Sequence, residues 1–127
     1  MKIKCISDKG CGGFIEKGNI YNVYAILMYK GGLSFLVSEN SEYPMDHPIE
    51  LFEILSNYLP PIWYFKFIDS KESKMRKDLL TAIWGYKEIV FDQDHYYNLL
   101  ERESEPTNIF ARRKEEIDEY EELLKNN

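Results

Sequence analysis

Only four side chains in the 127-residue sequence are thiols or imidazoles, groups that often bind metals or act as nucleophiles and bases. They are Cys5, Cys11, His47 and His95, and four such groups can in principle bind a zinc ion. The cysteines lack the spacing of a zinc knuckle, and the histidines lie far apart in the sequence. We therefore predict no metal site and no cofactor, with Cys5 as a small core residue and Cys11 as a thiol in a loop.

Patterns that would support catalysis are incomplete. Cys11 is not surrounded by any local motif of cysteine enzymes, and its glycine-rich loop lacks the lysine and the serine or threonine of a phosphate-binding loop. Asp92, Asp94 and His95 can bind a divalent cation or transfer protons. Helix capping by Asp92 explains the same cluster, because acidic residues stabilise the first turn of a helix. We predict that the protein is not an enzyme, and a small hydrolase or nucleotide-binding enzyme has the least support.

The net charge of −6, from 16 basic and 22 acidic side chains, argues against a general nucleic-acid binder. Contacts to phosphates need clustered lysines and arginines. The one basic run, residues 71–77, is interrupted and flanked by acidic residues and has no interleaved aromatic residue for base stacking. We interpret it as part of a solvated loop. A charged partner of this protein is therefore expected to be a basic protein.

The excess of acidic residues lies mainly near the C-terminal end, where positions 101–127 carry nine acidic and five basic side chains. Apolar residues at heptad-like spacing between Phe110 and Leu124 predict a helix, and Thr107 can cap its start. Within this helix the basic residues 112–114 precede the acidic ones. That order opposes the helix dipole, which favours acids at the start and bases at the end.

An unfavourable charge order can be retained for recognition, because a dense acidic face attracts a basic partner and speeds encounter. The alternative is a solvated terminal helix whose charges only aid solubility. Under the first interpretation the partner-binding residues are five carboxylates and one aromatic anchor, namely Glu115, Glu116, Asp118, Glu119, Glu122 and Tyr120.

The rest of the fold has to position these side chains. The sequence predicts that residues 1–68 are rich in β-strands. Alternating polar and apolar residues, and runs of aromatic and branched residues, are typical of strands. Gly31-Gly32 favours a hairpin, because glycine suits the tight turns that match strand twist. The predicted strands cover residues 2–6, 20–29, 33–37, 62–68 and 79–84. Residues 49–55 fit a strand or a helical turn, and we favour the strand.

From Tyr86 to position 125 the pattern becomes helical. One helix is predicted after Asp92, and it ends before Pro106. The acidic helix follows, and its apolar face is expected to dock on the sheet. No internal repeat or second domain boundary is visible, so residues 1–127 are predicted to form a single domain. Its fold class is α+β, with a small antiparallel sheet or barrel in the N-terminal half and C-terminal helices packed on it.

The start of the chain contains Lys4-Cys5-Ile6, the glycine-bearing loop and a strand-turn-strand pattern at 15–23, which is built around Lys17-Gly18 and Tyr21. These segments resemble the opening of small bacterial and phage proteins with an SH3-like β-barrel. This resemblance covers about the first third of the chain and implies such a barrel there. The aromatic groove motif of peptide-binding SH3 domains is not found. In size, charge and architecture the chain also resembles immunity proteins of bacterial toxin systems.

The first residues are interrupted by charge, and no apolar run reaches the roughly 20 residues that cross a bilayer. We expect no export and no membrane insertion, and the scarcity of cysteine favours the reducing cytoplasm. The predicted function is an immunity-type inhibitor that neutralises a cationic toxin or effector. The alternative is a phage-type or regulatory adaptor that binds a protein through its β-sheet, at surfaces that include Tyr24 and Phe35. The partner's identity and the oligomeric state stay open.

Overall fold

The computed structural model describes residues 1–38, 43–69, 80–92 and 94–125, and within them the chain forms eight strands and three α-helices. The strands are β1 (Lys2–Cys5), β2 (Ile20–Asn22), β3 (Ala25–Tyr29), β4 (Gly32–Val37), β5 (Met45–Pro48), β6 (Phe52–Ser56), β7 (Tyr64–Phe67) and β8 (Leu80–Gly85). The helices are α1 (Lys87–Phe91), α2 (His95–Leu100) and α3 (Ser104–Lys125). A short 3₁₀ turn, Ile49–Leu51, precedes β6.

The strands form two antiparallel sheets, a smaller one in the order β2-β1-β6 and a larger one in the order β5-β4-β3-β8-β7. The chain crosses between them at Val23 and Tyr24. The Val23 N–H donates to the Met1 carbonyl at 3.1 Å, whereas the Tyr24 N–H donates to the Leu36 carbonyl at 2.9 Å. Adjacent backbone amides therefore belong to different sheets, which ties the two sheets together at this point.

Side chains of successive strand residues point to opposite faces, and this alternation divides the core into two clusters on the two faces of the larger sheet. On one face, Leu36 packs in a cluster with helix residues such as Phe110, which we call the helix core. On the other face, Phe35 packs with Ile3 of the smaller sheet, in the sheet core. Trp63 packs against both clusters. The larger sheet is thus the middle of three layers.

The predicted α+β class is confirmed, with antiparallel sheets and the C-terminal helix α3 packed on them. The hairpin is also confirmed, because β3 and β4 pair with Tyr29 opposite Gly32. Gly32 has φ +145°, a conformation that favours glycine. The strand predicted at 49–55 begins later, because β5 and β6 belong to different sheets and the 3₁₀ turn connects them.

The predicted start of α3 is wrong. The helix begins at Ser104, and the Thr107 hydroxyl does not cap it but donates to the Glu103 carbonyl at 2.7 Å. Pro106 lies inside the first turn, where a proline is tolerated because the amide N–H groups of that turn have no intrahelical acceptor. Pro106 therefore marks the start of α3 and not a connection before the helix.

The earlier start of α3 reduces the expected conflict with the helix dipole. The basic residues 112–114 lie about two turns inside the helix, whereas the dipole acts mainly on the terminal turns. Glu105 in the first turn and Lys125 in the last turn have the favoured sign, whereas Glu122 in the last turn has the unfavourable one. The conflict with the dipole is therefore confined to the C-terminal carboxylates and does not involve residues 112–114.

The predicted capping role of Asp92 is also wrong, because α2 begins at His95 and Asp92 directly follows the end of α1. The Asp92 carboxylate accepts the backbone N–H of Asp94 at 3.1 Å. Asp92 therefore stabilises the connection between the two short helices instead of the first turn of the second.

Gly85 provides a test of the packing between β8 and its neighbours. A Cβ atom at Gly85 would lie 2.8 Å from Ile89 Cγ2 and 3.0 Å from Ala25 Cβ. We expect Gly85→Ala to lower the free energy of unfolding by about 1–3 kcal/mol, because it overfills a packed site. Urea denaturation measures this, with Gly31→Ala as the control, since a Cβ there meets nothing within 4 Å. Equal losses in both variants would contradict the packing described.

Candidate functional site

Helix α3 separates the six predicted partner-binding residues into two groups. Glu115, Glu119 and Glu122 are exposed, and the described residues offer none of them an ion pair. Their spacing places them on one face of the helix, over about 10 Å of its length. We call these three residues the acidic ridge. The other three, Glu116, Asp118 and Tyr120, are half-buried and contact other parts of the chain.

Asp118 faces the crossing between the two sheets. Its Oδ1 accepts hydrogen bonds from the Tyr24 hydroxyl at 2.7 Å and from Asn22 Nδ2 at 2.9 Å. Its Oδ2 pairs with Lys114 Nζ at 2.7 Å. Burial alone would raise the pKa of Asp118, but the donors on Lys114, Asn22 and Tyr24 outweigh it and hold the pKa below its ordinary value. The charged carboxylate therefore fixes α3 to the sheets.

Glu116 and Tyr120 also make contacts within the chain. Glu116 Oε2 lies 2.9 Å from Arg113 Nη1, and Arg113 in turn forms two bonds to Glu88 of α1, at 2.7 and 2.9 Å. The hydrogen bond from Arg113 lowers the pKa of Glu88. The Tyr120 hydroxyl donates to the Leu59 carbonyl at 3.2 Å. Arg113 and Tyr120 therefore connect α3 to other elements, and Glu116 is paired with Arg113. This leaves the ridge as the accessible part of the predicted site without ion pairs.

Glu121 is a buried carboxylate that was not among the predicted residues. It is only 2% exposed and pairs with the amino group of Met1. A signal for it does exist in the sequence, because Glu121 lies at helical spacing on the apolar stripe that contains Phe110 and Ile117. A carboxylate on a buried stripe requires a partner, since an unpaired buried charge is strongly unfavourable. The sequence gives no indication of which residue that partner is.

A groove of about 530 Å³ lies between α3 and the smaller sheet. Its charged lining includes Lys2 and Glu122 as well as the Lys114–Asp118 pair. Lys2 Nζ donates to Asn22 Oδ1 at 2.8 Å, and Asn22 in turn donates to Asp118. Apart from Glu122, these polar groups are therefore bonded to one another, as expected of a network that supports structure.

A second depression, of about 430 Å³, lies beside the acidic ridge on α3 itself. Asp118, Glu119, Glu122 and Leu123 line it, and Leu123 is 65% exposed. An exposed leucine next to free carboxylates gives the ridge an apolar neighbour. Protein interfaces commonly combine a packed apolar contact with a polar rim.

The thiols are poorly suited to nucleophilic chemistry. The predicted burial of Cys5 is confirmed, and Cys11 lies in a loop as predicted but is buried as well, at 8% exposure. Neither forms a disulfide. Burial, and to a smaller extent the nearby Asp8 charge, raises the pKa of Cys11, so its thiol stays protonated near neutral pH.

His95 has a structural contact of its own. It is 2% exposed, and its Nε2 lies 2.7 Å from the Tyr86 hydroxyl. Burial lowers the pKa of His95 despite the nearby Asp92 and Glu88 carboxylates, which favours the neutral imidazole. The ring therefore acts as a buried hydrogen-bonding group in the helix core rather than as part of an acidic cluster at the surface.

Two further predictions concern metals and membranes. Within the described ranges, no group of three or more histidine, cysteine or acidic side chains is arranged to hold a metal ion. Nor does that part of the chain contain a helix long and apolar enough to span a bilayer. The basic run at 71–77 lies outside the described residues.

The sheet surface named in the alternative hypothesis is not available. Tyr24 and Phe35 are each 3% exposed, because they lie at the sheet crossing and in the sheet core. The exposed aromatic residues of the sheet are instead on β7, namely Tyr64, Phe65 and Phe67. The strand predicted at 62–68 corresponds to β7, which begins at Tyr64 and ends at Phe67.

Comparisons with protein-family models, curated proteins and solved structures find no match to this chain. The resemblances to SH3-like barrel proteins and to immunity proteins therefore stay predictions. The geometry of the surface of α3 is then the main indication of function.

The Asp118 network predicts a specific dependence of stability on pH. Because the folded-state pKa is lowered, the stabilisation is complete above the unfolded-state pKa of about 4 and is lost as pH falls through the folded-state value. We expect Asp118→Asn to lower the free energy of unfolding at pH 7 by about 1–2 kcal/mol.

Chemical denaturation at pH 7 and at pH 3 measures this effect. The difference between the Asp118→Asn variant and the native chain should shrink at pH 3, because below about pH 4 the carboxyl of the unfolded chain takes up a proton and this favours unfolding. Glu119→Gln is the control, since Glu119 is exposed and lacks an ion pair among the described residues. A difference of the same size at both pH values would show that the charge of Asp118 contributes nothing.

Proposed function

We propose that the protein is an immunity-type inhibitor that binds a cationic protein, a toxin or effector, through the acidic ridge of α3. One observation carries the proposal: Glu115, Glu119 and Glu122 project from one helix face without ion pairs, while the neighbouring carboxylates Glu116 and Asp118 are paired. The ridge is therefore a cluster of negative charge that the described part of the chain does not neutralise.

Electrostatics supports a basic partner. Like charges three or four residues apart on a helix destabilise it by about 0.2–0.5 kcal/mol per pair, so the ridge is weakly unfavourable in the isolated protein. Basic groups of a partner would remove this repulsion on binding. The ridge supplies three of the acidic charges behind the overall net charge of −6, and this negative field raises the rate of encounter with a cation.

We propose that Leu123, rather than Tyr120, makes the apolar contact with the partner. The Tyr120 hydroxyl is hydrogen-bonded to the Leu59 carbonyl, whereas Leu123 is 65% exposed beside Glu119 and Glu122. A partner that covers Leu123 would exclude water around the adjacent ion pairs, and charge–charge contacts strengthen when water is excluded.

The attachment of α3 favours binding because the ridge is already ordered. Asp118 joins the helix to the sheets, and Arg113 joins it to Glu88 of α1 through two hydrogen bonds. A surface held in its binding conformation loses little conformational entropy on association. This mode of action needs no catalytic group.

Charge reversal tests the proposal. We expect a variant with Glu115→Lys, Glu119→Lys and Glu122→Lys to bind the partner at least about tenfold more weakly at low salt, a loss of about 1.4 kcal/mol or more. The partner is first recovered by affinity capture from the native host, purified, and titrated at low and high salt. The native chain should lose affinity as salt rises, and the variant should lose much less.

The matched control changes the net charge equally but elsewhere, through Glu16→Lys, Glu53→Lys and Glu101→Lys, all at exposed positions. Both triple variants have a formal net charge of 0, since three reversals each add two to the native −6. Equal losses of affinity in both variants would show that the ridge acts only through its contribution to the net charge. Unchanged affinity of the ridge variant would refute the assignment.

A further inference from the structure

Strand β7 forms one edge of the larger sheet, and its side chains are unusual for an edge. Its only neighbour in the described sheet is β8. Edge strands of natural proteins are commonly protected by charges, prolines or bulges, because open edges pair with other strands. Strand β7 has the sequence Tyr64-Phe65-Lys66-Phe67, with a single charge, and its register with β8 contains no bulge.

The hydrogen-bond pattern identifies which backbone groups point away from the sheet. The Ile68 N–H donates to the Thr81 carbonyl at 2.7 Å and continues the β7–β8 ladder. Backbone groups of successive strand residues point to alternate sides, so Lys66 and every second residue face β8. The N–H and C=O groups of Phe65 and Phe67 therefore point towards the outer edge.

Apolar side chains cover both faces of this edge. On the face of the sheet core, Phe65 packs against Trp84 and Phe67, with ring centroids 4.5 and 4.7 Å apart. On the face of the helix core, Tyr64 packs edge-on against Phe91 of α1 at 5.2 Å. All of these rings except Trp84 are 40% or more exposed, and Phe67 reaches 74%.

We propose that β7 pairs antiparallel with β7 of a second copy of this chain, so that the two larger sheets become one continuous sheet. The area favours a second copy as the occupant. The exposed fractions of five residues at this edge add up to about two and a half whole side chains; the residues are Ile62, Tyr64, Phe65, Phe67 and Phe91. At about 200 Å² per side chain, complete coverage would bury at most about 500 Å² per copy, or about 1,000 Å² for two copies.

That area is near the lower limit of a specific protein interface, which matches a weak, reversible dimer. A two-fold axis perpendicular to the sheet lets the same strand supply both sides of the contact, and it keeps each face continuous across the junction. The dimer surface is distinct from the acidic ridge, so a result that contradicts one of the two proposals leaves the other unaffected.

Charge selects the register. Pairing centred on Lys66 would place the two Lys66 ammonium groups directly opposite each other, which is unfavourable. Pairing centred on Phe65 places the two Phe65 rings together and Tyr64 opposite Lys66 of the second copy. A tyrosine ring next to an ammonium group is a favourable contact. The structure assigns Phe65 to the centre of the pairing.

Sedimentation equilibrium of the full chain, from low to high micromolar concentration, tests the proposal. The apparent mass should rise from 15.1 kDa towards twice that value. The dissociation constant should increase at least about tenfold in Phe67→Lys, because a charge replaces an apolar contact two residues from the centre of the pairing. Ile20→Lys is the control, since Ile20 is 57% exposed on β2, an edge strand of the smaller sheet.

Phe65→Cys tests the register. At concentrations above the dissociation constant, a mild oxidant should join two copies through this residue, because opposite Cα atoms of a strand pair lie within disulfide reach. Ile20→Cys is the control and should stay uncrosslinked, and circular dichroism confirms that each variant is folded. A native chain that stays monomeric, a dimer that tolerates Phe67→Lys, or a dimer in which Phe65→Cys does not crosslink would overturn the proposal.

Discussion

The position of α3 depends on one partly buried junction, where the Tyr24 hydroxyl donates to Asp118 at the crossing of the two sheets. Tyr24 also supplies the first amide of the chain that bonds to the larger sheet, and its ring packs edge-on against Phe110 of α3 at 5.5 Å. The same residue therefore joins the smaller sheet, the larger sheet and the long helix. Because Phe110 and Ile117 point into the helix core, the opposite helix face has to point outward. The location of the acidic ridge follows from this packing.

The charges of α3 have separate roles on separate faces. Arg113 is 19% exposed and bonded through two nitrogens to Glu88, a geometry that makes an ion pair more favourable than an ordinary surface pair. Lys114 pairs with Asp118 at the sheet crossing. Arg113 thus connects α3 to α1, and Lys114 pairs with the Asp118 carboxylate that connects α3 to the sheets. An arrangement that looks unfavourable for an isolated helix is satisfied by contacts with the rest of the fold.

Much of the fold could be predicted from local patterns, because alternation, glycine turns and helical spacing are properties of short segments. The division into two sheets could not, since nothing in the apolar run around Val23 marks the change of sheet. The start of α3 was missed because Pro106 was interpreted as the end of the preceding connection, although proline also fits a first helical turn. For the site, helical spacing could have separated the ridge from Glu121. The bonds from Asn22 and Tyr24 to Asp118 and from Met1 to Glu121 could not be inferred, because these partners lie about a hundred residues away in the sequence.

The separation between paired and unpaired carboxylates also determines how readily the surface can change over evolutionary time. Substitutions at exposed positions without specific contacts usually alter stability by less than about 0.5 kcal/mol, and Glu115, Glu119 and Glu122 are such positions. Asp118 and Glu121 are not, because each is bonded to a distant part of the chain. A lineage carrying this fold can therefore diversify the ridge in step with a changing partner while the residues beneath it stay fixed.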